Sequence, residues 1–381
     1  MRFLTAGESH GPGLTVIVDG VPAGLPIDPA SIDADLRRRQ LGYGRGGRQK
    51  IERDSARITG GVRHGHSTGA PIALWIANRD APNWERVMSV DPIPEPPAAV
   101  TRLRPGHADL AGALKYGHLD VRDVIERASA RETAARVAAG AIARALLVAA
   151  GIDVVSETVV IGDVTAVPTF DRERIESSEV RCSDPAAGAR MIAAIGAARD
   201  AGDTLGGVTA VHARGVVAGL GTYAQWDRRL DGRIAQALMS IQSAKGVEFA
   251  DAFVAAADRG SLVHDPIERR GAGFGRSQNR AGGLEGGVSN GEDIVAHVAF
   301  KPISTLMAPL ASVDLGTGLP AAAHIERSDV CVVPAAGVVA EAMLALVLAD
   351  ALCLKFGEDS LTDLLSSLAA YRERLRPIAD R

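Results

Sequence analysis

Two long tracts nearly free of charge constrain the fold more than any other feature of this 381-residue chain. The first, AARVAAGAIARALLVAA at 134–150, is broken only by Arg136 and Arg144; the second, at 336–356, is broken chiefly by Glu341 and Asp350. Both lack the polar stripe that a surface helix shows, so each helix must be covered on all sides. We therefore expect helices at 130–149 and 336–356, lying side by side as a buried spine. Ser129-Ala-Arg-Glu132 reads as a capping box at the start of the first. With 46% apolar and 23% charged residues the chain has enough material for one large core, and disorder is excluded as its dominant state.

Around the spine, short β-branched runs predict strands near 13–19, 56–61, 72–77, 154–162, 207–217, 247–254, 294–300 and 329–333. Further helices are expected at 29–40, 186–201, 230–244 and 360–374, the first with Asp28 as N-cap and Pro29 at its opening position. GLTVIVDGVPAGLP at 13–26 resembles GVTAVHARGVVAGLG at 207–221, and each copy leads into a helix. That match raises a possible two-fold pseudo-repeat of hairpin-plus-helix halves; two unrelated hairpins are the alternative. No Pro/Ser-rich linker separates the halves, and DPIPEPP at 91–97 reads as a rigid surface loop, so the expectation is one domain over 1–381.

Forty-two basic against 46 acidic residues give a formal charge of −4, which argues against a general nucleic-acid coat protein. Cys182, Cys331 and Cys353 have neither disulfide-framework nor zinc spacing and suit a reducing compartment. The N-terminal MRFLTAGESHG lacks a signal-peptide core, so the expected location is cytoplasmic, with no membrane partner.

Within this acidic chain the segment 37–63 carries Arg37, Arg38, Arg39, Arg45, Arg48, Lys50, Arg53, Arg57 and Arg63 against Glu52 and Asp54. Its glycine-rich loop QLGYGRGGRQ can aim Arg45 and Arg48 into a pocket for a small, multiply charged anion, since guanidinium forks bind phosphate and carboxylate bidentately. A solvated basic loop is the plainer alternative, and RNA binding a third, although only Tyr43 is nearby to stack on a base. His10 in GESHGPG and His107 in RPGH sit in turns fixed by glycine and proline and could move protons near neutral pH, or could simply be polar loop residues. His64-x-His66 is the one close histidine pair, and no metal is expected. Arg127 and Arg131 flank Ser129 at a helix start that favours anions. GGLEGGVSNGED (282–293) and KPIST (301–305) fit neither a Walker loop nor a dinucleotide fingerprint.

Taken together, GESHGPG (7–13), RRRQLGYGRGGRQKIERD (37–54), RPGHADLAG (104–112), RASARETAARVAAG (127–140), GGLEGGVSNGE (282–292), KPIST (301–305) and RSDVCVVPAAGVVAE (327–341) resemble the chorismate synthase family over nearly the whole chain. The resemblance implies a lyase that converts 5-enolpyruvylshikimate 3-phosphate to chorismate and phosphate in the shikimate pathway of aromatic amino-acid biosynthesis. Reduced FMN is required although the anti 1,4-elimination has no net redox change; electron donation from the flavin would help phosphate leave, and flavin N5 would accept the C6 hydrogen.

By the same resemblance the catalytic groups would be His10 beside the leaving phosphate, His107 near flavin N1 and Asp329 near N5. Substrate anions would meet Ser9, Arg39, Arg45, Arg48, Arg104, Ser129, Arg131 and Arg327. FMN would be held by Arg127, Ala128, Ser129, Gln242, Ser243, Gly286, Lys301, Pro302, Ile303, Ser304, Thr305 and Arg327. Arg39 and Arg45 are also implied as NADP contacts, though NADPH is expected to act only indirectly, as the source of reducing equivalents. Two departures stand out: Ser243 replaces an alanine, and Gln40 interrupts an arginine run that continues with leucine in some relatives. The implied fold is α+β, a β-α-β sandwich with a helical layer between two antiparallel sheets. A homotetramer, an external flavin reductant and no nucleic-acid partner are also expected.

Overall fold

The computed structural model describes residues 1–46, 53–271, 273–326 and 328–375. Strands β1 (Arg2–Ala6), β2 (Gly13–Asp19), β3 (Ala56–Gly60) and β4 (Ile72–Ala77) form an antiparallel sheet in the order β1-β2-β4-β3, with α1 (Pro29–Gln40) between β2 and β3. Then come α2 (Asp109–Tyr116), α3 (Arg122–Ala128) and α4 (Thr133–Ala149). The second half presents β5 (Asp153–Ile161), α5 (Pro185–Asp200), β6 (Gly207–Arg214), α6 (Leu230–Met239), β7 (Ala244–Phe249), β8 (Ile294–Phe300), α7 (Val333–Phe356) and α8 (Leu361–Arg374). Its strands run β5-β6-β8-β7, antiparallel at every pairing, with Val164–Thr165 added outside β5. Position for position, that is the order of the first sheet.

Alternation along the strands supplies one apolar face per sheet: Leu14, Val16 and Val18 from β2, Ile72, Leu74 and Ile76 from β4, and Ile294, Ala296 and Val298 from β8 are buried. Against these faces lie the two apolar helices, α4 on β1, β2 and β4, and α7 on β5 and β6, with α4 and α7 packed on each other. By length and composition α7 could span a membrane, yet 89% of its most apolar window is buried inside the fold. The helices approach closely at Gly140, where an added Cβ would stand 2.3 Å from Ala342 Cβ.

A second recurrence lies in the turns. Gly20 and Gly24 after β2, like Gly215 and Gly219 after β6, adopt positive φ. After the first pair, Ser67 Oγ donates to Pro22 O and accepts from Leu25 N, while Gly24 N donates to Ser67 O. After the second, Ser289 Oγ donates to Val217 O and accepts from Leu220 N, while Gly219 N donates to Ser289 O.

The expected strand at 329–333 forms only a single bridge, Leu205 to Cys331, because Pro334 sits in the first turn of α7 and the chain enters the helix at Val333. The strand expected to reach residue 217 ends at Arg214, before the left-handed Gly215. The one expected at 247–254 spans Ala244–Phe249, and the helix expected to reach 244 stops at Met239. The capping box does not close: Ser129 Oγ accepts from Arg131 N, and a short 3-10 turn, Ala130–Glu132, precedes α4. Glu132 instead binds Thr5, Arg136 and Gln242, three donors among which the Arg136 guanidinium is charged, unlike the cap's own backbone N–H. Asp28 and Pro29 open α1 as expected.

Candidate functional site

A cavity of about 380 Å³ opens where the C-terminal end of α1, the segment entering α4 and the start of α7 meet. Arg39, Arg45, Arg104, Arg131 and Lys301 reach its wall, with Glu326 and Asp329 as the lining anions. The remainder is largely small and apolar: Ala128, Ile241, Val332, Ala335, Ala336 and Val339. A cationic half beside a smooth apolar half suits an anion held against a flat ring.

Each guanidinium is fixed from behind. Arg39 donates to Thr133 Oγ1 at 2.8 Å and to Ala130 O at 2.9 Å, which ties α1 to the start of α4. Arg131 meets both oxygens of buried Asp54, at 2.7 and 2.6 Å. Arg45 pairs with Asp329 at 2.7 Å, and Gly46 N donates to the same carboxylate at 2.6 Å, so one acid pins the glycine-rich loop to the segment before α7. Arg104 donates twice to Asp109 and once to Thr305. Burial opposes ionisation of Asp109, but hydrogen bonds from His107 and Arg104 outweigh it and hold its carboxyl far below the usual range. Glu326 is likewise lowered, to about 2, with His324, Arg122 and Arg104 overcoming burial. Lys301 is shifted down by burial and by Lys245, which makes its ammonium readier to take an anionic partner.

Of the residues expected at the site, His107, Asp329, Arg39, Arg45, Arg104, Arg131, Ala128, Gln242, Ser243, Lys301, Ile303, Ser304 and Thr305 line this one cavity. Ser9, His10, Arg127, Ser129, Pro302 and Gly286 do not. Ser129 stands between lining residues Ala128 and Ala130, and its Oγ donates to Ser9 Oγ at 3.2 Å. His10 packs behind them on Trp84, ring centroids 3.8 Å apart, with Nδ1 2.8 Å from Glu126. Arg127 turns the other way and clamps Thr5 and Gly7. Gly286 occupies the turn between Leu284–Glu285 and Val288–Ser289. Arg48 and Arg327 lie outside the described residues.

What sequence reasoning missed is the set of carboxylates behind the cations: Asp54, Asp109, Glu126 and Glu326. Only their adjacency to singled-out residues, Asp109 two places after His107 and Glu126 just before Arg127, could have suggested them.

The family model for chorismate synthase matches residues 1–353. The chain is 58% identical to the chorismate synthase of Moorella thermoacetica, covering 99% of this chain and 100% of that one. It is 56% identical to the chorismate synthase of Desulforudis audaxviator, with 99% and 98% covered. A crystal structure of a chorismate synthase superposes with a TM-score of 0.79 at 41% identity, covering 98% of both chains.

Proposed function

The chain belongs to the chorismate synthase family, a lyase family of the shikimate pathway acting on a small-molecule substrate, and from that premise we propose how its own cavity carries the reaction. The family uses reduced flavin. Buried Gln242 Oε1 on the cavity wall has no hydrogen-bond partner among the described residues, and the alanine and valine side of α7 offers a flat apolar surface; both suit a flavin. Gln242, Ser243, Ala128 and Lys301 to Thr305 would hold it, with Ile241, Ala335, Ala336 and Val339 against the ring. Reduced FMN, when bound there, supplies electron density to the departing carbon–oxygen bond and takes part in removing the C6 hydrogen without net redox change.

The protein's own groups do the remaining work. Arg39, Arg45, Arg104 and Arg131 meet the phosphate and carboxylates, each charge-assisted bond contributing about 1.5–3 kcal/mol. Their carboxylate partners keep them oriented before substrate arrives, so little reorganisation remains at the moment of reaction. Arg45, paired with Asp329, can exchange that partner for a substrate anion and free the carboxylate for a proton at the flavin side. His107 holds a proton on the same side, while His10, which packs on Trp84 outside the cavity lining, is assigned to the leaving phosphate only by resemblance. Arg48, Arg327, Ser9 and Ser129 join the anion cage in this reading, while Arg127, Pro302 and Gly286 hold FMN only by resemblance. Arg39 and Arg45 are read as substrate ligands rather than NADP contacts.

The convergence of five cations on one cavity beside an apolar wall carries this proposal. The test is anaerobic: protein, dithionite-reduced FMN and 5-enolpyruvylshikimate 3-phosphate, followed by phosphate release. Release only with reduced FMN is expected; equal release without it rejects the flavin site.

We further propose a single domain built from two copies of one β-β-α-β-β-α unit; the matching strand orders and the paired Ser67 and Ser289 turns support it. A cytoplasmic homotetramer served by an external reductant completes the reading.

A further inference from the structure

Each of the two histidines carries a buried carboxylate on Nδ1. His107 Nδ1 lies 2.5 Å from Asp109 Oδ1, and Asp109 is fully buried. His10 Nδ1 lies 2.8 Å from Glu126 Oε1, and Glu126 is 1% exposed. Both carboxyls are held below their usual ranges by hydrogen bonds that outweigh burial, so each must accept the proton of the imidazole Nδ1–H. Arg104 also approaches His107 Nδ1, at 3.0 Å, but with that proton committed to Asp109 the two groups are donors converging on one oxygen.

The two pairs are joined. Arg122 donates to Glu126 at 3.2 Å and to Glu326 at 2.6 Å, and the other oxygen of Glu326 lies 3.8 Å from Arg104, which grips Asp109. The chain His10–Glu126–Arg122–Glu326–Arg104–Asp109–His107 therefore alternates in charge between the two proton-handling ends. Arginine does not release its proton under these conditions, so this is a chain of fixed charges and not a proton wire. Other charged groups face it: Asp80 holds Trp84 against His10, Lys301 stands beside the His107 turn at Gly106, and His324 contacts Glu326.

We infer that Asp109 and Glu126 are positioning residues that keep the proton on Nδ1 of His107 and His10, leaving Nε2 of each as the exchanging nitrogen, and that Glu326 locks the two pairs into one unit through Arg122 and Arg104. The arrangement is that of a ligating or catalytic imidazole whose far nitrogen is fixed by a carboxylate. This rests on the histidine roles proposed above.

The test uses the full-length protein with ¹⁵N-labelled histidine, the two signals assigned with His10→Ala and His107→Ala. Wild-type spectra should show Nδ1-protonated rings at both positions; an Nε2-protonated neutral ring at either overturns the inference whatever the variants do. Asp109→Asn should release the His107 ring, and Glu126→Gln the His10 ring, into a mixture of Nδ1- and Nε2-protonated tautomers, because a carboxamide can donate to Nδ1 as well as accept from it. Glu326→Gln should shift both ring signals. A ring tautomer unchanged in Asp109→Asn or Glu126→Gln, or a Glu326→Gln effect confined to one ring, overturns it. Full turnover in His107→Ala would instead reject the catalytic role while leaving the ring spectra to judge the positioning.

Discussion

Gly140→Ala tests a close contact between the two helices of the spine. The new Cβ would stand 2.3 Å from Ala342 Cβ, 2.5 Å from Ala342 Cα and 3.0 Å from Ala342 O, against an ordinary contact of 3.4–4 Å. Every clashing atom belongs to backbone or to a Cβ, so no rotamer relieves it and the helices must part by roughly 1 Å in a close-packed interior. Overpacking of this kind costs about 1–3 kcal/mol, offset by about 1 kcal/mol of helix propensity gained over glycine. With contacts of 2.3 and 2.5 Å to atoms that no rotamer can move, the upper part of that range, about 2–3 kcal/mol, applies, so the expected net loss is about 1–2 kcal/mol, read as a lower urea midpoint at unchanged slope. Ala342→Gly removes the nearest atom but leaves its Cα, so in a double-mutant cycle with Gly140→Ala it should recover part of the clash, with a coupling of about 1 kcal/mol. Because Thr133 on α4 and Ala335, Ala336 and Val339 on α7 line the cavity, turnover should fall with stability. A midpoint equal to or above wild type, or strictly additive variants, would refute the reasoning.

Glu341→Gln should destabilise the fold by about 3–5 kcal/mol at pH 7, because it breaks a fully buried carboxylate held by Arg38, Arg181 and Ser156. Those cations, outweighing burial, bring the Glu341 carboxyl to about 2, below its unfolded value of 4.5; its stabilisation is therefore present above pH 4.5 and lost as pH falls toward 2, so the wild-type advantage in urea unfolding should shrink across that window. His107→Ala should slow turnover by roughly 10²–10⁴ with the fold intact by circular dichroism, and an unchanged rate would return it to a loop polar residue. Arg45→Ala should raise the substrate KM far more than the FMN Kd; equal losses would show that this arginine has been assigned to the wrong ligand.

The fold was legible where the physics is local. Apolar tracts with no polar stripe required burial, and α4 and α7 are buried; alternation located β2, β4 and β8 to the residue. Reading failed where apolar runs are ambiguous between states, as at 329–333, where Pro334 decided for helix, and where a cap's donors lost to distant partners, as at Ser129 and Glu132. Strand β1 was missed because its five residues alternate between exposed and half-buried, giving no buried face to detect. The resemblance in the turns was visible only as one matched hairpin, since the partner serines sit at different offsets, Ser67 45 residues beyond Pro22 and Ser289 72 beyond Val217.

The site divides in the same way, and the division has a cause. Arginines and turn histidines announce themselves because their density and their glycine setting are unusual for a chain of net charge −4. Asp54, Asp109, Glu126 and Glu326 do not, because each is one acid among 46 and its meaning comes only from the cation the fold brings to it. A cavity lined by five cations would repel them from one another if nothing stood behind; a carboxylate behind Arg45, Arg104 and Arg131 lowers that repulsion while leaving net positive charge for a polyanionic substrate. Removing one such carboxylate therefore does more than loosen an arginine. It raises the mutual repulsion of the cage, which is why an isosteric amide at Asp54 should weaken the fold of the empty protein and why saturating phosphate should stabilise that variant more than it stabilises wild type, an excess that a purely packing role for Asp54 would not produce.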